Sequence, residues 1–205
     1  MSASLAEILR TTGEHIVIVV ISVALAAAIG IPLGIFCTRN PVAGRIALRA
    51  VDILQTIPSI ALLGFLIPVP LIGGIGPRTA IVALVLYSLL PIVRNTFIGI
   101  RGIDPNVRDA GVALGLTQRQ LLREVELPLA LPTIIAGVRI ATVLAIGVAT
   151  IAAAIGGGGL GTFIFRGVAM VDTRLILAGA VPAAVLAVFA DLGLSALERS
   201  MSRER

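Results

Sequence analysis

Gly156, Gly158 and Gly161, within "IAAAIGGGGLGTFIFRG" (151–167), stand at the G-x-G-x-x-G spacing that lets a backbone approach a dinucleotide pyrophosphate. That chemistry needs a strand running into a helix and a carboxylate about 20 residues later to hold a ribose. The flanks here are long apolar runs, and the run reads as a tight, non-helical exit from a membrane span. It either lines a gate or simply turns the chain. Other site chemistries fail on residue types. The single Cys37 and single His15 provide neither a disulfide nor a metal cluster. All 16 basic residues are arginine, so no P-loop lysine is available, and no G-x-x-x-x-G-K-[ST] occurs. Tyr87, Phe97, Phe163 and Phe165 are too dispersed to propose as an aromatic cage and are assigned to helix or lipid packing.

The elements that must carry these residues follow from composition: the chain is 58% hydrophobic and 13% charged, where a soluble domain is roughly 25% charged. These proportions describe an integral membrane protein in the lipid bilayer. Five segments, about 15–37, 51–70, 77–98, 131–154 and 175–197, are long enough to cross roughly 30 Å of hydrocarbon as helices. The expected fold is therefore an all-α membrane protein of about five spans, occupying 1–205 as one domain. Pro32, Pro58, Pro91 and Pro182 inside the spans imply kinks or close helix contacts. The first apolar run exceeds a signal h-region and lacks an A-x-A site, so it reads as a retained span.

Five spans put the termini on opposite sides. With the N-terminus outside, the inner segments hold Arg39, Arg45, Arg49, Arg101, Arg108, Arg119, Arg123, Arg199, Arg203 and Arg205, against Arg10, Arg78, Arg166 and Arg174 outside. The positive-inside rule selects that orientation, with a cytoplasmic C-terminus. The scattering of arginines between apolar runs gives no nucleic-acid surface. Asp52, Arg94, Arg139 and Asp191 fall within the inner halves or ends of their predicted spans. Their depth and signs suggest Arg94 with Asp52 and Arg139 with Asp191, as structural or gating pairs or as substrate contacts.

The polar insert at about 99–130 faces the cytoplasm in this orientation. Its stretch "DPNVRDAGVALGLTQRQLLREVELPLALP" has helical spacing of apolar residues, with Pro105 and Pro128 at its edges. It predicts a short helix, a turn and a second helix. Gly115 is a natural stop for the first, and Gly111 and Gly115 leave room for another surface to come close.

In these residues the chain resembles the permease subunits of binding-protein-dependent ABC importers. Asp109-Ala110-Gly111, three residues, Gly115, nine residues and Val125-Glu126-Leu127-Pro128 match that family's E-A-A-x3-G-x9-I-x-L-P loop, with Asp for Glu, Gly for the second Ala and Val for Ile. "LQTIPSIALLGFLIP", "YSLLPIVRNTFIGI", "VELPLALPTIIAGVR" and "IGGGGLGTFIFRG" extend the resemblance over nearly the whole chain, toward the glycine betaine, carnitine and choline group. The resemblance implies the type I ABC importer permease fold and a bacterial cytoplasmic (inner) membrane location. It makes Asp109, Ala110, Gly111, Gly115, Val125, Leu127 and Pro128 part of a coupling element docked on an ATPase.

The implied partners are two ATP-binding subunits, which bind the ATP and Mg, a second permease copy or similar permease, and an extracytoplasmic substrate-binding protein. No cofactor belongs to this chain, and it is not itself an enzyme. The runner-up is an importer permease for amino acids or another small zwitterion. A secondary transporter would call for internal repeats, which the sequence lacks at corresponding positions, and a channel for a filter-like repeat.

Overall fold

A computed structural model describes residues 4–203; Arg205 and the Arg203 side chain, both used in the charge comparison, lie outside the described residues. The described backbone is helical throughout its ordered elements. Helix α1 (Leu5–Arg39) starts where the Ser4 hydroxyl accepts from the Glu7 N–H, ten residues before the predicted apolar run. Asn40 ends it and at once caps α2 (Pro41–Thr56), accepting from the Ala43 N–H at 3.0 Å. Then follow α3 (Ser59–Leu66), α4 (Pro77–Arg101) and α5 (Pro105–Ala113). The one-turn α6 (Gln118–Gln120) runs through a π-helical stretch, Leu121–Glu126, into α7 (Leu127–Ala152). A glycine-rich bend leads to α8 (Gly161–Met170) and α9 (Thr173–Arg203).

Four helical stretches are long and apolar enough to cross a membrane, and the α2–α3 pair makes a fifth when counted as one bent span. The predicted continuous span 51–70 is corrected here: the chain turns by 101° between α2 and α3. Ile57 precedes Pro58, whose ring disfavours the helical conformation in its neighbour, and Ile57 is extended at φ −72°, ψ 123°. Pro32, Pro91, Pro132 and Pro182 instead lie inside continuous helices.

A second correction concerns Pro128, expected to end the insert. It lies in the first turn of α7, and helix continues through it from Gln118 to Ala152. The widened π turn explains this: the Leu127 N–H reaches back five residues to the Leu122 carbonyl, in a stretch where proline offers no N–H of its own.

Helix α4 is the centre of the bundle, between α1 and α7. Gly30 and Gly34 on α1 let Ile92 and Thr96 of α4 approach, and Gly137 on α7 receives Asn95. Val19, Leu63, Leu84 and Ile146 carry the core across α1, α3, α4 and α7. Outward, Val20 and Phe189 are exposed as lipid-facing residues require.

Candidate functional site

Helix α5 is built to stand as a separate short rod. Asp104 caps it by accepting from the Asn106 N–H at 2.9 Å, and Pro105 takes the first position, where its missing N–H costs nothing. It ends in a Schellman motif: the Leu116 N–H bonds the Gly111 carbonyl at 3.1 Å, and the Gly115 N–H bonds the Val112 carbonyl at 2.9 Å. Gly115 has φ +81°, a left-handed conformation that L side chains adopt at a cost. The turn closes into a capping box, Thr117 with Gln120, before the chain enters α6.

The two glycines expected to admit another surface differ. Gly115 is exposed, with open space where a Cβ would stand. Gly111 is buried against this chain's own Leu121, whose Cδ1 would lie 2.7 Å from a Cβ, so its place is filled from within. Asp109 and Ala110 are exposed beside Val112 (54%) and Leu114 (82%). A short polar-capped helix thus presents apolar side chains outside the bundle, as a docking face would. Val125 and Leu127 are half-buried, and Pro128 is exposed.

Beneath α5 lies an arrangement the sequence did not single out. Glu126, at the end of the π turn, is fully buried, and Arg39 from the end of α1 donates to both its oxygens, at 3.5 Å from Nη1 to Oε1 and through a shorter bond from Nη2 to Oε2. Arg108 of α5 donates from Nε at 3.0 Å to Oε1, and its Nη2 bonds the Ile100 carbonyl at the end of α4. One carboxylate therefore ties α1, α5 and α7, and α4 joins through Arg108. Arg39 is 87 positions from Glu126, and no local spacing links them.

At the opposite end of the bundle, the glycine-rich run makes the predicted non-helical exit. Gly156, Gly158 and Gly159 have φ of +76°, +80° and +72°. Gly159 packs on His15, with Nδ1 2.9 Å from where a Cβ would be, and the His15 Nε2 lies 3.2 Å from the Ile146 carbonyl. Gly161 opens α8, where a Cβ would collide with the Thr150 carbonyl.

Among the intramembrane charges, Arg94 lies 3.7 Å from Asp52, and Arg139 lies 3.4 Å from both Asp191 and Glu198. At the α2–α3 break, the Tyr87 hydroxyl donates to the Ile57 carbonyl, and the Gln55 amide donates to the Tyr87 carbonyl at 3.0 Å. A cavity of about 290 Å³ opens there, lined by Gln55, Pro58, Ser59, Tyr87, Leu144 and Val148.

Comparison with known proteins decides the family. Residues 30–203 match the family of binding-protein-dependent transport system inner membrane components. The chain belongs to that family. It is 45% identical over 196 residues to the choline transport system permease protein OpuBB of Bacillus subtilis, covering 96% of this chain and 89% of that one. It is 46% identical over 189 residues to the osmoprotectant import permease protein OsmW of Salmonella typhimurium, covering 91% and 88%. Its fold matches an inward-facing structure of the MetNI methionine ABC transporter with TM-score 0.86, at 25% identity and 95% coverage of each chain. The chain is thus an ABC importer permease, with the expected type I fold, and its family is one of inner-membrane transport components.

Proposed function

We propose that this permease carries quaternary ammonium osmoprotectants of the glycine betaine, choline and carnitine type, delivered by an extracytoplasmic binding protein. The observation that supports the substrate class most is the identity of 44–46% to permeases named for choline, carnitine and osmoprotectants. The methionine transporter shares the fold at 25%, which leaves amino-acid import as the weaker reading.

The exposed, glycine-stopped α5 supports its reading as the coupling helix, seated on one of two ATP-binding subunits. Those subunits bind ATP and Mg, because this chain carries no lysine for a P-loop. A second permease, identical or similar, completes the path. In this reading Asp104–Glu126 faces the cytoplasm, the glycine bend faces outside, and the N-terminus lies out. Closure of the ATPases moves α5, and the spans exchange inward- and outward-facing states. Arg94–Asp52 and Arg139–Asp191 hold the helices near the inner side, while Gly156, Gly158 and Gly161 shape the outer mouth.

The test is uptake of labelled choline, glycine betaine and carnitine, with amino acids for comparison, by cells whose other osmoprotectant importers are deleted. Uptake of at least one quaternary ammonium compound that depends on this chain supports the reading. Uptake of amino acids alone replaces it with the second one.

A further inference from the structure

We propose that Glu126 is the positioning residue that makes α1 follow the coupling element, so that motion at α5 reaches the glycine bend at the far end of the bundle. This inference rests on α5 being the coupling helix. Three observations carry it. First, Glu126 is a fully buried carboxylate held by two guanidiniums, one from α5 and one from α1. A buried charge with such partners resists separation, because losing either leaves it held by a single guanidinium and losing both leaves it uncompensated. Second, α1 is one continuous helix from Leu5 to Arg39, and the rise over the 24 residue steps from His15 to Arg39 is about 36 Å. Third, the other end of α1 holds the bend. His15 packs under Gly159 and lies at the Ile146 carbonyl, and Glu7 pairs with Arg166 of α8 at 3.2 Å. A displacement of Arg39 along the axis is therefore delivered to the segment that shapes the opposite mouth.

Other features serve different ends: the cavity lined by His15, Val19, Thr142 and Phe189 is an apolar crevice between α1, α7 and α9 of the kind lipid tails fill. Glu126 differs in that three moving parts converge on one atom group. Asp109, by contrast, is exposed on α5.

The test is a distance measurement in the full complex with its ATP-binding subunits in lipid, in a Cys37→Ser background. Spin labels at Leu9→Cys on α1 and Val181→Cys on α9, both exposed, report the position of α1 against the rest of the bundle. Between the nucleotide-free and the ATP–vanadate-trapped complex, the parent protein shows a shift. Glu126→Gln traps nucleotide equally and loses most of that shift, and transport per ATP hydrolysed falls roughly three- to thirtyfold. Glu126→Asp, which keeps the charge, retains the shift. Where Glu126→Gln does not assemble, Arg39→Gln, which leaves Glu126 paired with Arg108, gives the same readout. An unchanged shift in a well-assembled Glu126→Gln or Arg39→Gln complex overturns the proposal and leaves the coupling reading intact. Trapping without any shift in the parent protein also overturns the proposal, while the coupling reading is tested separately by Gly115→Trp. Neither result depends on which substrate is carried.

Discussion

Arg139 of α7 lies 3.4 Å from Asp191 and 3.4 Å from Glu198, so one guanidinium on α7 bridges two carboxylates of α9. The second carboxylate changes what a charge exchange does. Arg139→Asp with Asp191→Arg places an aspartate beside Glu198, and the simple swap should rescue poorly. Adding Glu198→Gln should restore protein level and transport further. Asp191→Asn alone should cost less than Arg139→Gln, since the arginine keeps Glu198. Thermal inactivation of the purified variants in lipid checks the order.

Gly115 separates conformation from docking. Its φ of +81° predicts that Gly115→Ala costs about 1–2 kcal/mol in the local turn, while Gly115→Asn costs less because asparagine visits this region. Gly115→Trp adds bulk on an exposed face and should abolish stimulated ATP hydrolysis by the complex, leaving membrane insertion intact. If the tryptophan variant transports normally, α5 is not the docked element.

The glycine bend carries an internal control. Gly158 and Gly159 share a positive φ, but only Gly159 has His15 against it; the nearest atom to a Cβ at Gly158 is Glu14 Oε2, at 3.6 Å. Gly159→Ala should therefore be the more damaging, by strain plus collision, and Gly158→Ala should show the strain of about 1–2 kcal/mol alone. Limited proteolysis at the bend and thermal inactivation give the comparison, and equal effects would contradict the packing of His15 as the cause.

Tyr87→Phe removes the donor to the Ile57 carbonyl at the break between α2 and α3. At this half-buried break, beside the cavity, loss of the hydrogen bond costs about 0.5–1.5 kcal/mol. The variant should lose thermal stability on that scale, with a further loss when Gln55→Leu is added, because the amide that holds the Tyr87 carbonyl goes too.

Much of this arrangement is legible in the amino-acid sequence itself. Hydropathy over roughly 20 residues finds the spans, because a bilayer leaves backbone no partner but its own helix. A glycine at the end of a short periodic helix marks the stop at Gly115, and runs of glycine mark the exit at Gly156–Gly159. The pairing of Arg139 and Arg94 with acids at equal depth follows from charge cost alone.

What stayed hidden depended on context. Proline in a span signals a bend without saying which proline bends: Pro58 breaks its helix, whereas Pro91 and Pro132 do not. Pro128 read as a boundary because a π turn is invisible in residue spacing. The ten-residue α8 fell below the length that apolar runs reveal. Glu126 stood only at the variable position of the I-x-L-P match, since its partner Arg39 comes from another span.

The proposal that this chain passes ATP-driven motion to a path for quaternary ammonium compounds has one direct test. It is ATP hydrolysis by the lipid-reconstituted complex of this permease with its ATP-binding and substrate-binding partners, across a panel of choline, carnitine, betaines and amino acids. Stimulation by one or more quaternary ammonium compounds, lost in Gly115→Trp, is the predicted result. A complex that assembles, hydrolyses ATP and responds to ordinary amino acids alone would contradict it.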